Sequence, residues 1–339
     1  MISLNDKFIQ ESFDGTQSSN GLQIPVLRLP INFSYNQKIR LAQIWIDDFN
    51  PQWLSLQFVP FSFHPKGLAF NLGNRLIQLN NKRSWHVMVH ELWLGMDKET
   101  SFKFACWGWL QKQLIKSLFR KLNPSCINTH TDLYIKMLKT INVKAQYLPL
   151  FGNIPIIPGN LKSGDDVAAK RNVREVSFVL FGGIHTGVEL GDLLRELKFF
   201  SEESRLPVTL KLVGRNGGEQ SRWKKEWETA GLKVEVLGEK PEAVVSEILS
   251  SSSFGISTTP AALIEKSGSV AAMREHGLKV LCISRPWHPT GYTQTNFPDE
   301  ITVYSKGIIS DFINNRNNLN SMNSISDVAN KFVKHLANS

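Results

Sequence analysis

Short β-branched runs alternate with longer amphipathic stretches through both halves of this 339-residue chain. That alternation restricts the fold more than any other feature, because strands separated by helix-length segments are joined by crossovers and so lie parallel in sheets covered by helices. In the first half the strand candidates are 23–29, 53–60, 84–90, 126–130 and 146–151, and the stretches 35–49, 69–79, 102–122 and 132–141 read as helices. The second half repeats the pattern more regularly. Strands are expected at 175–181, 208–213, 233–237, 254–257, 279–283 and 301–304, with helices at 188–204, 218–229, 241–250 and 267–276. Six strands with crossover helices make a doubly wound sheet.

The length suits two domains. The segment Pro155-Ile-Ile-Pro-Gly-Asn-Leu-Lys-Ser-Gly-Asp-Asp166 has two prolines, two glycines and no periodicity, which predicts the linker there and domains of 1–157 and 158–339. The Asn-rich stretch 314–323 reads as a second loop, followed by a final helix from about Ser326 to Leu336 that is expected to pack back on the first domain.

Apolar residues make up 42% and charged residues 20%, so the chain can bury real cores and is neither disordered nor fibrous. Met1 to Phe13 has no basic start and no long apolar run, and no stretch reaches the ~18 apolar residues of a membrane helix. Cys106, Cys126 and Cys282 are odd in number, scattered and without a Cys-x-x-Cys pair, which argues against a disulfide framework or thiolate metal site. A cytoplasmic setting is expected. Charge is uneven: residues 1–150 hold 17 Lys/Arg against 9 Asp/Glu, while residues 151–339 are nearly balanced at 22 against 21. A basic first half attracts polyanions, which include nucleic acid, an anionic membrane surface and a phosphorylated acceptor.

Ligands of open parallel sheets bind beyond the carboxyl ends of the strands. Three such ends in the second half are glycine-rich or polar: Phe181-Gly-Gly-Ile-His-Thr-Gly187 with Gly183 at its centre, Gly214-Arg-Asn-Gly-Gly218, and Ser257-Thr-Thr-Pro260 with Thr258. The sharpest candidate is Glu265-Lys-Ser-Gly-Ser269, which leads into a helix whose N-terminus favours phosphate. Lys266 would add a full charge, Ser267 and Ser269 hydroxyl donors, and Gly268 room for a diphosphate. No G-x-x-x-x-G-K-[ST] is present, so a P-loop is not indicated.

In the first half, Trp85-His-Val-Met-Val-His90 followed by Glu91-Leu-Trp93 brings an imidazole, a carboxylate and an indole to one strand end. His90 and Glu91 are the catalytic candidates; Trp93, as a sugar-stacking face, and His130, at the next strand end, are acceptor candidates. Position 94 is Leu, so H-E-x-x-H is absent and no zinc site is expected. The predicted helix 102–122 combines aromatics with Lys112, Lys116, Arg120 and Lys121, a composition suited to an anionic membrane interface or to core packing with a solvated basic side.

Together, Leu56-Gln-Phe-Val-Pro-Phe61, His90-Glu-Leu-Trp-Leu-Gly95, Leu148-Pro-Leu-Phe-Gly-Asn-Ile-Pro155, Phe181-Gly-Gly183, Leu212-Val-Gly-Arg215, Gly255-Ile-Ser-Thr-Thr-Pro260 and Lys266-Ser-Gly268 resemble the GT-B glycosyltransferases of the group 1, family-4-like kind. The resemblance covers most of the chain. It implies an α/β fold of two Rossmann-like domains facing each other across a cleft, the first on the acceptor side and the second binding a nucleotide-sugar. It implies transfer of the sugar to a polysaccharide- or lipid-linked glycan acceptor, with no cofactor and no metal. In similar enzymes an Arg after the second strand of the donor domain neutralises the diphosphate, and Arg215 holds that position here. The family's Lys usually follows shortly after, where this chain has Asn216 to Ser221, so Lys266 would substitute from another loop. The ribose-binding glutamate of the family corresponds, counting from Glu265, to Met273, and the usual first strand, glycine-rich loop and helix are not found before Gln23. A non-catalytic GT-B-like binding or partner subunit is the alternative. Nucleic-acid binding rests on charge alone, without a recognisable module, and ranks last.

Overall fold

A computed structural model describes the chain except residues 20, 81, 158–174, 294–296 and 316–323. The predicted linker from 158 onward and the Asn-rich loop from 316 onward lie outside the described residues. The chain divides into two compact units, one of residues 1–147 with 334–339, the other of residues 148–333.

The second unit holds one six-stranded sheet of β8 (Val176–Phe181), β9 (Val208–Val213), β10 (Lys233–Gly238), β11 (Phe254–Ser257), β12 (Val280–Cys282) and β13 (Ile301–Val303). The order is β10-β9-β8-β11-β12-β13 and every pairing is parallel. Because strand residues alternate between faces, Phe178 and Leu180 join a core with Leu197, Trp223, Trp227 and Phe312 on one side. Val179 joins Leu249, Val270 and Met273 on the other. Both faces are therefore covered, as a parallel sheet requires. The strand order reverses between β8 and β11, and a doubly wound sheet opens its ligand crevice at that point.

The first unit has a parallel four-stranded sheet, β4 (Trp53–Phe58), β5 (Ser84–Val89), β6 (Cys126–Thr129) and β7 (Gln146–Tyr147), in that order. Leu56, Phe58, Val87 and Val89 are buried, as are Ile115, Phe119, Leu133 and Leu138 of the helices Phe102–Leu122 and Asp132–Lys139. The helix Tyr35–Phe49 begins in a capping box, with Ser34 and Gln37 exchanging side-chain and backbone bonds, and ends on Asn50 in the left-handed region.

Three expectations change here. The chain before residue 22 forms two strands, β1 (Ile2–Asp6) and β2 (Phe13–Ser19), which flank β3 (Leu22–Pro30) in a separate sheet. β1 runs parallel to β3 and β2 antiparallel, so this part of the unit is not purely parallel. Pro60 opens a one-turn helix, Pro60–Phe63, rather than ending β4, because its fixed φ and missing N–H suit a first helical position. The 69–79 stretch forms a short helix, Leu72–Leu76, and a 3-10 turn, Ile77–Leu79. The helix Ile309–Asn314 was not anticipated.

Among the described residues, no helix is long and apolar enough to cross a membrane, and no cluster of His, Cys, Asp and Glu could hold a metal ion.

Candidate functional site

In the second unit, the loops after β8, β9, β11 and β12 meet at the switch point. Gly182, immediately after β8, has φ +92°, a conformation that only glycine adopts at low cost. A side chain there would point at the Ser269 Cβ, 3.6 Å away. The loop is fixed from both sides. Asn216 Nδ2, after β9, donates to the Gly182 carbonyl at 2.7 Å, while the Ile184 N–H donates to the Asn216 carbonyl at 3.1 Å. On the β11 side the His185 N–H donates to Thr258 Oγ1 at 2.9 Å, so the buried Thr258 braces the loop across the strand reversal.

Three cationic or titratable side chains gather around this loop. The His185 imidazole is held below its ordinary value by desolvation, and then by the positive charges of Arg285 and Lys266 beside it. Arg285, three residues beyond β12, packs its Cδ 3.5 Å from the Cβ position that Gly187 lacks. Lys266 ends the 3-10 turn Ala261–Lys266. Ser267 then caps the helix Gly268–Glu275, accepting the Val270 N–H at 3.4 Å, with its Oγ 3.1 Å from that of Ser269. The arrangement offers two cations, two hydroxyls and an imidazole beside a glycine turn, which is a setting for a phosphate-bearing ligand.

Of the residues expected for a donor, Thr258, Lys266, Ser267 and Ser269 thus adjoin this loop, and Gly268 stands as the first residue of the capped helix. Gly183 is exposed, and the constrained glycine is its neighbour Gly182. Arg215 instead reaches Glu239, with Nε 2.9 Å from Oε1, and the pair is largely exposed. Met273 is fully buried, its Sδ 2.6 Å from where a Gly255 Cβ would stand, so this position serves the core. His185, Arg285 and Asn216 were not singled out from the sequence. Each lies just beyond the carboxyl end of a strand, and that placement was the available signal.

In the first unit, the ends of β4, β5 and β6 bring His90 and His130 together, with ring centroids 5.3 Å apart. His90 Nε2 is 2.8 Å from Gln57 Oε1. Glu91 stands near Tyr134, whose phenol is pushed upward first by burial and then by the Glu91 charge. Beneath them lies a polar layer. His86 Nδ1 is 2.8 Å from Ser55 Oγ, and Asn128 Nδ2 contacts the Gln146 carbonyl at 3.2 Å and His335 Nδ1 at 2.8 Å. Burial holds His86 down at about 4. Trp93 is buried, at 9% exposure, with the Lys112 ammonium 5.2 Å above its ring. One face of the ring is thereby engaged from within the unit.

No family model matches the chain, and no curated protein matches it. Solved structures do. Anabaena Alr3699/HepE in complex with UDP is 13% identical, over 93% of this chain and 87% of that one, with a TM-score of 0.56. The same protein in complex with UDP and glucose is 12% identical over the same shares, with a TM-score of 0.54. TarM is 12% identical over 95% of this chain and 63% of that chain, with a TM-score of 0.50. At such identities the likeness establishes the fold: this is a GT-B chain with two Rossmann-like domains.

Proposed function

We propose that this chain is a metal-independent glycosyltransferase that moves a sugar from a nucleotide-sugar donor to a polysaccharide- or lipid-linked acceptor. The observation that carries the reading is the gathering of Lys266, Arg285 and His185 around the glycine loop at the β8/β11 switch point. The fold likeness to a protein solved with UDP and glucose supports it. Bond cleavage between the sugar and the diphosphate leaves negative charge on the departing nucleotide, and cations positioned in advance stabilise it. Lys266 and Arg285 would supply that charge from side chains, so the reading calls on no metal ion. The Ser267 and Ser269 hydroxyls and the partly buried start of their helix would take remaining phosphate oxygens.

The first unit is assigned the acceptor. His90, hydrogen-bonded to Gln57 and flanked by His130, is the candidate base, and Glu91, the next residue in the chain, would orient it or share the proton. The protein would work in the cytoplasm or at the inner face of a membrane. A second reading, a non-catalytic partner subunit that retains donor affinity, draws on Met273, a core residue where the family uses a ribose-binding glutamate.

A thermal-shift screen against UDP-, GDP-, CMP- and dTDP-sugars tests the proposal. A ligand at 100 times its dissociation constant should stabilise the fold by about 2.7 kcal/mol. Absence of a shift with every donor would sink the donor site, whereas a shift without donor turnover on any offered acceptor would favour the partner subunit.

A further inference from the structure

The helix Phe102–Leu122 divides its length between two environments. Its second half is anchored, with Ile115, Leu118, Phe119 and Leu122 buried. Its first half is not: Phe102 is 85% exposed, Trp109 62% and Phe104 49%, and Lys103 and Cys106 are exposed beside them. At 100° per residue, Phe102, Cys106, Trp109, Gln113, Lys116 and Arg120 follow one outward stripe. The stripe begins aromatic and ends cationic. The helix as a whole carries Lys103, Lys112, Lys116, Arg120 and Lys121 and no carboxylate.

The segment beside it extends the same chemistry. The Lys66 carbonyl accepts from Trp107 Nε1 at 2.9 Å and from Gln111 Nε2 at 3.1 Å, which fixes the loop to the helix. Phe61, 39% exposed, lies against Gly67 of that loop.

We propose that this surface docks on an anionic lipid bilayer, with Phe102 and Trp109 entering the headgroup boundary and Lys116 and Arg120 meeting lipid phosphates. Two observations select a bilayer over a protein partner. Exposed aromatics and cations share one outward stripe of a helix that carries no carboxylate, the composition of a helix lying in the plane of an anionic headgroup layer. The bare aromatics also stand at the start of a helix whose far half is held in the core, so insertion would need no unfolding. The inference deepens the proposed function by naming the surface where a lipid-linked acceptor would be met, and it rests on that reading only for the acceptor's identity.

Co-sedimentation of the full chain with vesicles tests it. Wild type is expected to sediment with vesicles of about three parts phosphatidylcholine to one of phosphatidylglycerol, and to stay in solution with phosphatidylcholine alone. The double substitution Phe102→Ser with Trp109→Ser, and the double reversal Lys116→Glu with Arg120→Glu, should each reduce the bound fraction roughly tenfold or more at low salt. All four side chains are exposed, so melting temperatures should hold, and UDP-induced thermal shifts should be the same as in wild type. A failed donor screen would therefore leave this test standing. Wild type that ignores anionic vesicles, binds both compositions equally, or binds unchanged after the serine substitutions would overturn the proposal.

Discussion

Asn216 Nδ2 donates to the Gly182 carbonyl at 2.7 Å, which binds the end of β9 to the glycine turn after β8. Asn216 is almost fully buried, and a second contact, 3.4 Å to the Val213 carbonyl, fixes its amide. Asn216→Ala leaves a carbonyl without its donor, a loss of about 1–3 kcal/mol. The melting temperature should fall accordingly, and the UDP-induced shift should shrink as well, because the loop that carries His185 loses one of its ties and keeps only the main-chain bond to residue 216 and the Thr258 brace. A variant that loses stability but keeps the full UDP shift would show that the amide is structural only.

The cations near the switch point should not contribute equally. Lys266 and Arg285 stand beside His185, whereas the Arg215 guanidinium is directed to Glu239. Charge-assisted bonds to a diphosphate are worth about 1.5–3 kcal/mol each, so Lys266→Ala and Arg285→Ala should each weaken UDP binding roughly tenfold to over a hundredfold. Arg215→Ala should do less. Calorimetric titration of the three variants ranks them directly, and an Arg215 loss as large as the other two would return Arg215 to the phosphate.

Trp93 is expected to behave as a core residue. Removing a buried indole costs about 3–5 kcal/mol, and the Lys112 ammonium over the ring contributes on the order of 0.5–1 kcal/mol more. Trp93→Ala should therefore unfold at much lower urea, and Lys112→Met slightly lower. If Trp93→Ala instead kept its stability and lost only acceptor turnover, the indole would be a sugar platform after all.

The second sheet was legible because its central strands are largely apolar runs closed by a turn signal: Val176–Phe181 ends on Gly182, and Val208–Val213 on Gly214. The first unit was harder for a physical reason. Ile2–Asp6 and Phe13–Ser19 are rich in Asp, Asn, Gly and Ser, which disfavour strands, and they pair only because Leu22–Pro30 lies between them. Ile309–Asn314 is too short to show a helical period. In the candidate site, Lys266 and Ser267 could be read because a capped helix start announces itself locally. Arg285 could not be linked to them, since its neighbour Gly187 is 98 positions earlier and only the fold brings the two loops together. The surroundings of Trp93 were hidden for the same reason: the Lys112 ammonium over its ring comes from the following helix.

His86 makes acid stability a direct test of the first unit's polar layer. Its side chain is 2% exposed, and burial pushes its titration from the ordinary 6.5 to about 4. The Asn128 hydrogen bond opposes that shift, while the charges of His335 and His90 add to it. The unfolded chain binds a proton here below about 6.5 and the folded chain only below about 4, so between these values protons favour unfolding. Stability is then full above about pH 6.5 and is lost as pH falls toward 4, by an amount on the order of 2–3 kcal/mol. His185 and His276 are shifted the same way by desolvation and add to the slope, so the informative quantity is a difference between proteins. His86→Gln removes the titrating group while keeping an amide that can face Ser55. Urea midpoints at about pH 7.5 and pH 5 should converge more closely in the variant than in wild type. An equally steep fall in both would place the acid sensitivity elsewhere.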